Sequence, residues 1–141
     1  MLTGKTNEER IWNYLTAAGM TDCGAAGLMG NLYAESGLIP ANLQNTYEKK
    51  LGYTDAAYTA AVDSGAYTNF AKDGAGYGLA QWTYHTRKAA LLAFAKAAGK
   101  SVGDLETQLA FLVHELGGSF PAVLSALKTA KTVRAASDVV L

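Results

Sequence analysis

The stretch GLMGNLYAESGL, residues 27–38, decides how the rest of the sequence is interpreted. Apolar residues repeat there at helical spacing, and Gly37 has the position of a residue that ends a helix. Leu28, Leu32 and Glu35 stand at i, i+4 and i+7, so the pattern predicts that Glu35 points the same way as the two leucines. A carboxylate at the end of an apolar helical face is unusual, which makes Glu35 the first candidate for a functional group.

Two effects would keep Glu35 protonated at such a position. Burial disfavours the charged carboxylate, and the C-terminal end of a helix carries partial negative charge. A carboxyl group that holds its proton near neutral pH can serve as a general acid. The alternative is a glutamate at a helix end that turns its side chain into solvent, which is common for this residue type.

The composition predicts a single domain over residues 1–141, with 50% hydrophobic and 17% charged residues. Twelve Lys and Arg balance twelve Asp and Glu, which argues against nucleic acid or an anionic membrane as partner. No segment is long and apolar enough to cross a bilayer, and the N-terminus lacks the apolar run of a signal peptide. An extracellular substrate would therefore be reached through other parts of a larger protein or through lysis.

Capping residues and glycines predict a mainly helical domain. The first helix follows Thr6, and the second is capped by Thr21 or Asp22. Residues 54–65 form a short helix or a turn-rich arm. The predicted helices cover approximately residues 7–18, 22–36, 54–65, 84–98, 104–116, 121–130 and 132–141. Because the last helix is still running at Leu141, we expect a chain cut short at its C-terminus and excised from a larger protein.

The stretch GAGYGLAQWT, residues 74–83, predicts a small glycine-rich hairpin or extended loop in the middle of the domain. In an extended segment, residues 77, 79 and 81 share one face and residues 78, 80 and 82 the other. Bare glycine backbone lets a ligand approach closely, and the Gln81 amide suits an acetamido or hydroxyl group. Tyr77 and Trp82 are then candidates for stacking on a sugar, or else core aromatics beside a flexible tip.

Together, GNLYAESGL and GYGLAQWT, followed by Arg87, resemble the phage tail lysozyme and endolysin muramidase domains. The resemblance includes LQNTYEKKLGYTD, residues 43–55, and covers nearly the whole chain. It implies a lysozyme-like α+β fold related to goose-type lysozyme and the soluble lytic transglycosylases, with the glycine-rich segment as one wall of a substrate cleft. It also implies bacterial peptidoglycan as substrate and action at the cell wall. The neutral charge gives little attraction to that wall, so we expect a linked wall-binding module, a second lytic domain or a tail assembly.

The resemblance assigns roles by position. Glu35 is the general acid that cleaves the β-1,4 bond between N-acetylmuramic acid and N-acetylglucosamine. Gln81 contacts the substrate, with Tyr77 and Gly78 beside it in the cleft wall. The predicted substrate-binding residues are Tyr77, Gly78, Gln81, Trp82 and Thr83.

The second catalytic group is left open. Goose-type enzymes carry an aspartate where Thr83 stands, so a water-activating base needs a substitute, and Asp73 is the first candidate with Asp63 behind it. A carboxylate about 6.5–9.5 Å from the acid would give hydrolysis with inversion. Without one, the 6-hydroxyl of the muramic acid attacks and leaves an anhydro end, as in lytic transglycosylases, or its N-acetyl oxygen assists. We favour hydrolysis.

Two further alternatives come from other classes of protein. Cys23 lies in the first turn of a predicted helix, and DCGA faintly resembles the nucleophile motif of NlpC/P60 cell-wall peptidases, with His85 or His114 as base. Those folds need a strand-rich second half, whereas this one is predicted to be helical. The other alternative is a non-catalytic glycan-binding or phage-tail structural domain. No metal site and no cofactor are predicted.

Overall fold

The computed structural model describes residues 2–141, and over this range the chain forms eight helices and no β-strand beyond isolated bridges. Their bounds are α1 (Asn7–Ala17), α2 (Asp22–Ser36), α3 (Asn45–Leu51), α4 (Asp55–Ser64), α5 (His85–Ala98), α6 (Leu105–Ser119), α7 (Pro121–Thr129) and α8 (Val133–Val140). The predicted mainly helical class is confirmed. Helix α3 was not predicted, because its seven residues are mostly polar and too few to show a periodic apolar face.

The chain packs as two compact units. The first unit combines two segments of the chain, the N-terminal segment through Leu38 and the C-terminal segment Leu112–Leu141. The second unit is Ile39–Phe111. Helix α2, which carries Glu35, belongs to the first unit and the glycine-rich segment to the second.

Helix α2 is central to the first unit and packs against α1, α7 and α8. It begins where predicted, because the Thr21 hydroxyl accepts a hydrogen bond from the Gly24 N–H at 3.0 Å. It ends at Gly37, whose φ of 65° is the left-handed conformation that glycine adopts without strain. Gly27 lets α8 approach closely, since a Cβ atom there would lie 2.5 Å from the Cβ of Ala136.

The second unit is built around buried aromatic rings. Tyr58 is fully buried, and its ring centroid lies 5.4 Å from those of Tyr67 and Tyr77 and 6.0 Å from that of Phe70. Offset and tilted aromatic pairs of this kind are favourable beyond their buried area. Tyr77 anchors the glycine-rich segment in this cluster of rings.

The glycine-rich segment turns sharply instead of continuing as a strand. The Tyr77 N–H donates to the Trp82 carbonyl at 3.0 Å, and the Trp82 N–H donates back to the Tyr77 carbonyl at 2.9 Å. Gly78 and Gln81 within the turn have φ values of 84° and 51°. The predicted alternation of faces over residues 77–82 is therefore wrong, because a tight turn reverses the chain. The hairpin is reduced to isolated bridges joining Tyr77 to Trp82 and Leu43 to Tyr77.

Within residues 2–141, no single helix is long and apolar enough to cross a bilayer. Helices α6 and α7 satisfy the length and composition criteria only as a pair, with a bend of 112° between them.

Candidate functional site

Glu35 lies in the last turn of α2, and its side chain is exposed. The expectation that it points with Leu28 and Leu32 into the core is wrong. Ser36 takes the buried position instead, with its hydroxyl donating to the Leu32 carbonyl at 3.0 Å. Glu35 is instead a helix-end glutamate directed to solvent, the alternative interpretation of the sequence.

The helix neighbours explain this placement. Asn31 Nδ2 donates to the Ser137 carbonyl at 3.1 Å, near the C-terminal end of α8. Glu35 lies one turn further along α2, where Tyr33 and Ala34 are exposed as well. The apolar pattern predicts which way a side chain points, but it does not predict how far the neighbouring helices extend over that side chain. Glu35 therefore lies on an exposed helix end.

Tyr77 and Trp82 are fully buried. The Tyr77 hydroxyl is hydrogen-bonded to that of Thr59 at 2.6 Å, and burial raises the pKa of Tyr77. Trp82 packs edge-on against Phe111, with 5.6 Å between the ring centroids. The prediction that these rings stack on a sugar is wrong, because no face of either ring is open to solvent. They are core residues beneath the turn.

The Gln81 amide is fixed by the loop around it. Its Nε2 donates to the Asn42 carbonyl at 2.8 Å and to the Gly78 carbonyl at 3.0 Å. Both partners are acceptors only, so the nitrogen must face them and Oε1 must point the other way. The half-buried side chain therefore presents an oriented acceptor oxygen.

Gly78 and the turn around it are held by a buried glutamine that sequence reasoning missed. Gln108 Oε1 accepts from the Leu79 N–H at 2.9 Å, and its Nε2 donates to the carbonyls of Pro40 and Val102 at 2.7 and 2.8 Å. A Cβ atom on Gly78 would lie 2.9 Å from Gln108 Oε1. Gly78 is thus required by close packing on Gln108, and it is buried.

Asp73 is a buried structural carboxylate, with 1% of its side chain exposed. It accepts hydrogen bonds from the hydroxyls of Tyr58 and Tyr67 at 2.5 and 2.8 Å, from the Ala75 N–H at 3.0 Å, and from Lys88 Nζ at 2.7 Å. Burial alone would raise the pKa of Asp73, but the bonds from Lys88, Tyr58 and Ala75 outweigh it and lower the pKa. Both carboxylate oxygens accept these bonds and only 1% of the side chain is exposed, so the structure gives no support to Asp73 as the water-activating base.

Lys88, on α5, is a buried charged residue that no sequence pattern predicted. It is fully buried, donates to Asp73 and to the Ala75 carbonyl at 2.8 Å, and lies 4.3 Å from the centre of the Phe70 ring. Burial lowers the pKa of Lys88, and the Asp73 carboxylate partly offsets this. A lysine in HTRK gives no sign of burial, since lysine is almost never buried unless paired.

Asp63, the second candidate base, is also engaged by the fold. Its carboxylate accepts from the Ser101 hydroxyl at 2.5 Å and from the Val102 N–H at 2.9 Å, although its side chain remains exposed. Another carboxylate, that of Asp55, accepts a hydrogen bond from the Leu43 N–H at 3.0 Å. A hydrogen bond with Asp55 raises the pKa of Glu48.

The structure gives no support to a peptidase site built from Cys23 with His85 or His114. Cys23 is partly buried in the first turn of α2, while His85 and His114 are exposed on α5 and α6. The second half of the chain is helical, whereas the cysteine peptidase fold needs strands there. Among residues 2–141, no group of three or more His, Cys, Asp or Glu is arranged to hold a metal ion.

Comparison with known proteins agrees with the architecture. The sequence model of the family described as phage tail lysozyme matches residues 6–141, nearly the full chain. No curated protein matches the chain.

Proposed function

Because the chain belongs to the phage tail lysozyme family, we propose that it cleaves the β-1,4 bond between N-acetylmuramic acid and N-acetylglucosamine in bacterial peptidoglycan. The family supports a lysozyme-like role in degrading peptidoglycan, and hence action at the cell wall. The observation that carries the finer proposal is Glu35, an exposed carboxyl group on the last turn of α2, directly before the left-handed Gly37.

Glu35 acts as the general acid. It protonates the glycosidic oxygen as the bond to the sugar breaks and positive charge develops on the ring. The exposed helix end supplies access to a polymer. The desolvation expected from the sequence must then come from the bound glycan itself, which excludes water when it covers the carboxyl group.

Gln81 and Thr83 bind the glycan. The fixed Gln81 amide presents Oε1, and the exposed Thr83 hydroxyl donates to the Gln81 carbonyl at 2.9 Å. Tyr84 follows them directly, and 63% of its surface is exposed. An exposed tyrosine ring next to oriented polar groups suits a sugar, so Tyr84 takes the stacking role that Tyr77 and Trp82 do not fill.

Hydrolysis remains the first candidate reaction, and transglycosylation is the second. The observation that favours the second is the engagement of Asp73 and Asp63 by Lys88 and Ser101, respectively. If no protein carboxylate activates water, the muramic acid 6-hydroxyl attacks its own anomeric carbon and forms a 1,6-anhydro ring.

Mass spectrometry of the products separates the two reactions. Purified protein is incubated with peptidoglycan, and the soluble fragments are compared before and after reduction with borohydride. Hydrolysis leaves reducing N-acetylmuramic acid ends, whereas transglycosylation leaves non-reducible ends that are lighter by one water. Release of neither kind of fragment would overturn the proposed function.

A further inference from the structure

Gln44 lies beside the glycine-rich segment and holds Gly76 at both of its backbone polar groups. The Gln44 N–H donates to the Gly76 carbonyl at 2.8 Å, and the Gly76 N–H donates to Gln44 Oε1 at 2.9 Å. Gln44 Nε2 donates to the Thr46 hydroxyl at 3.0 Å. These bonds fix the orientation of the Gln44 amide, with its oxygen directed at Gly76.

Three side-chain oxygens converge over Gly76 because this residue has no Cβ atom. A Cβ placed there would lie 2.8 Å from Gln81 Oε1 and 3.3 Å from both Gln44 Oε1 and Thr83 Oγ1. The Thr83 hydroxyl hydrogen is directed to the Gln81 carbonyl, so its oxygen is available as an acceptor. We call Gln44, Gln81 and Thr83 the acceptor cluster.

The chemistry of the acceptor cluster matches a neutral donor. All three oxygens belong to uncharged groups, and each has a lone pair beyond the bonds already described. An N-acetylhexosamine offers one amide N–H and several hydroxyl groups, all uncharged. A carboxylate or phosphate would meet only acceptors here and would be repelled.

We propose that Gln44 is a glycan-binding residue that shares one subsite with Gln81 and Thr83 and accepts a hydrogen bond from an N-acetylhexosamine. The proposal rests on the proposed function for the identity of the ligand. Gln81 and Thr83 were predicted from the family resemblance, and the proposal adds Gln44, which comes from a different segment directly before α3.

One substitution removes the Gln44 oxygen, and a neighbouring substitution serves as the control. Gln44→Met keeps the length of the side chain but removes the acceptor. We expect Gln44→Met to raise KM for soluble glycan strands about tenfold, the loss of one hydrogen bond, with kcat within about twofold. Asn45→Ala, at the exposed neighbouring position, is the control with unchanged KM.

Direct binding is followed in the unmodified protein. Tri-N-acetylchitotriose is titrated into protein labelled with ¹⁵N, and the side-chain amide signals of Gln44 and Gln81 are monitored by NMR. We expect both signals to shift with the same dissociation constant. A shift of Gln81 without Gln44, or of neither, overturns the proposal. So does a KM for folded Gln44→Met within twofold of the parent. If Gln44→Met does not fold, the titration alone decides.

Failure of this inference and failure of the proposed function give different results. If the protein binds chitotriose through Gln44 and Gln81 but releases no peptidoglycan fragments, the subsite proposal stands and the proposed enzymatic function fails. If the protein cleaves peptidoglycan while the Gln44 signal does not shift and Gln44→Met does not change KM, the proposed function stands and the subsite proposal fails.

Discussion

Lys88 Nζ lies 2.7 Å from Asp73 Oδ1, and the two side chains are 0% and 1% exposed. The pair joins α5 to the start of the glycine-rich segment, where Lys88 also donates to the Ala75 carbonyl. Gly76, the centre of the acceptor cluster, is the next residue. The ion pair therefore supports the backbone on which the proposed glycan subsite is built.

Breaking this pair is expected to destabilise the protein strongly. Lys88→Met leaves the Asp73 carboxylate buried without its cation, which typically costs about 3–5 kcal/mol. Asp73→Asn likewise leaves the Lys88 ammonium group buried without its anion. The free energy of unfolding is measured by urea denaturation of both variants and of the double variant.

We expect the double variant to lose less than the sum of the single losses, because no uncompensated charge remains. Arg134→Met is the control, since Arg134 is 93% exposed and pairs with Asp138 only at 3.9 Å. Additive losses in the double variant would contradict an energetic coupling between Lys88 and Asp73.

Acid should weaken the fold through Asp73. The pKa of this carboxyl group is lowered in the folded state, so the unfolded chain takes up the proton first as pH falls. The stabilisation is complete above the ordinary aspartate pKa of about 3.9 and is lost as pH drops through the lower folded value. Thermal unfolding from pH 7 to pH 2 measures this loss.

The variant Asp73→Asn provides the comparison for the acid effect. It should show a lower melting temperature at pH 7 and a flatter decline in acid. Asp138→Asn, which alters an exposed carboxylate, should follow the parent curve. If Asp73→Asn and the parent declined in parallel below pH 4, the linkage to Asp73 would be refuted.

The glycines of α2 offer a test of helix packing. Gly27→Ala introduces a Cβ atom 2.5 Å from that of Ala136, so α8 must shift, at a cost of about 1–3 kcal/mol. Gly30 lies on the same helix with no heavy atom within 4 Å of a Cβ placed there. Gly30→Ala should therefore stabilise the helix by about 0.5–1 kcal/mol.

Opposite signs for the two substitutions, measured as melting temperatures, are the expected result. Equal effects at both positions would show that helix propensity, rather than the approach of α8, controls the stability at Gly27.

The sequence predicted much of the fold because its signals are local. The Thr21 cap, the Gly37 stop and the bounds of α2 follow from capping chemistry within a few residues. The alternation predicted for residues 77–82 failed because backbone bonds between Tyr77 and Trp82 close a tight turn there, and a residue distant in sequence supports that turn. Gln108 holds the Leu79 N–H from 29 positions away. No pattern within the stretch reports that partner.

The site was predicted less completely than the fold. The family resemblance picked out Gln81, whose amide the structure shows to be fixed. Periodicity misplaced Glu35, because burial depends on how far the neighbouring helices extend. Asp73 and Lys88 form an ion pair across 15 residues, and neither charged side chain gives a sequence signal that it is buried.

Cys23 separates the glycosidase from the peptidase alternative. Cys23→Ala should retain full release of glycan fragments from peptidoglycan, because Cys23 has no part in proton transfer from Glu35. A nucleophilic cysteine would lose all turnover on this change. Release of peptide-stem fragments that disappears in Cys23→Ala would favour the peptidase.

The central claim is that Glu35 donates the proton. The most direct measurement compares the parent with Glu35→Gln for release of reducing and anhydro glycan ends from peptidoglycan. Because Glu35 is exposed on the last turn of α2, the variant should keep the parent's melting temperature. We expect its rate to fall by about 10²-fold or more, since glutamine cannot donate the proton. Cleavage by folded Glu35→Gln at the parent's rate would contradict the account.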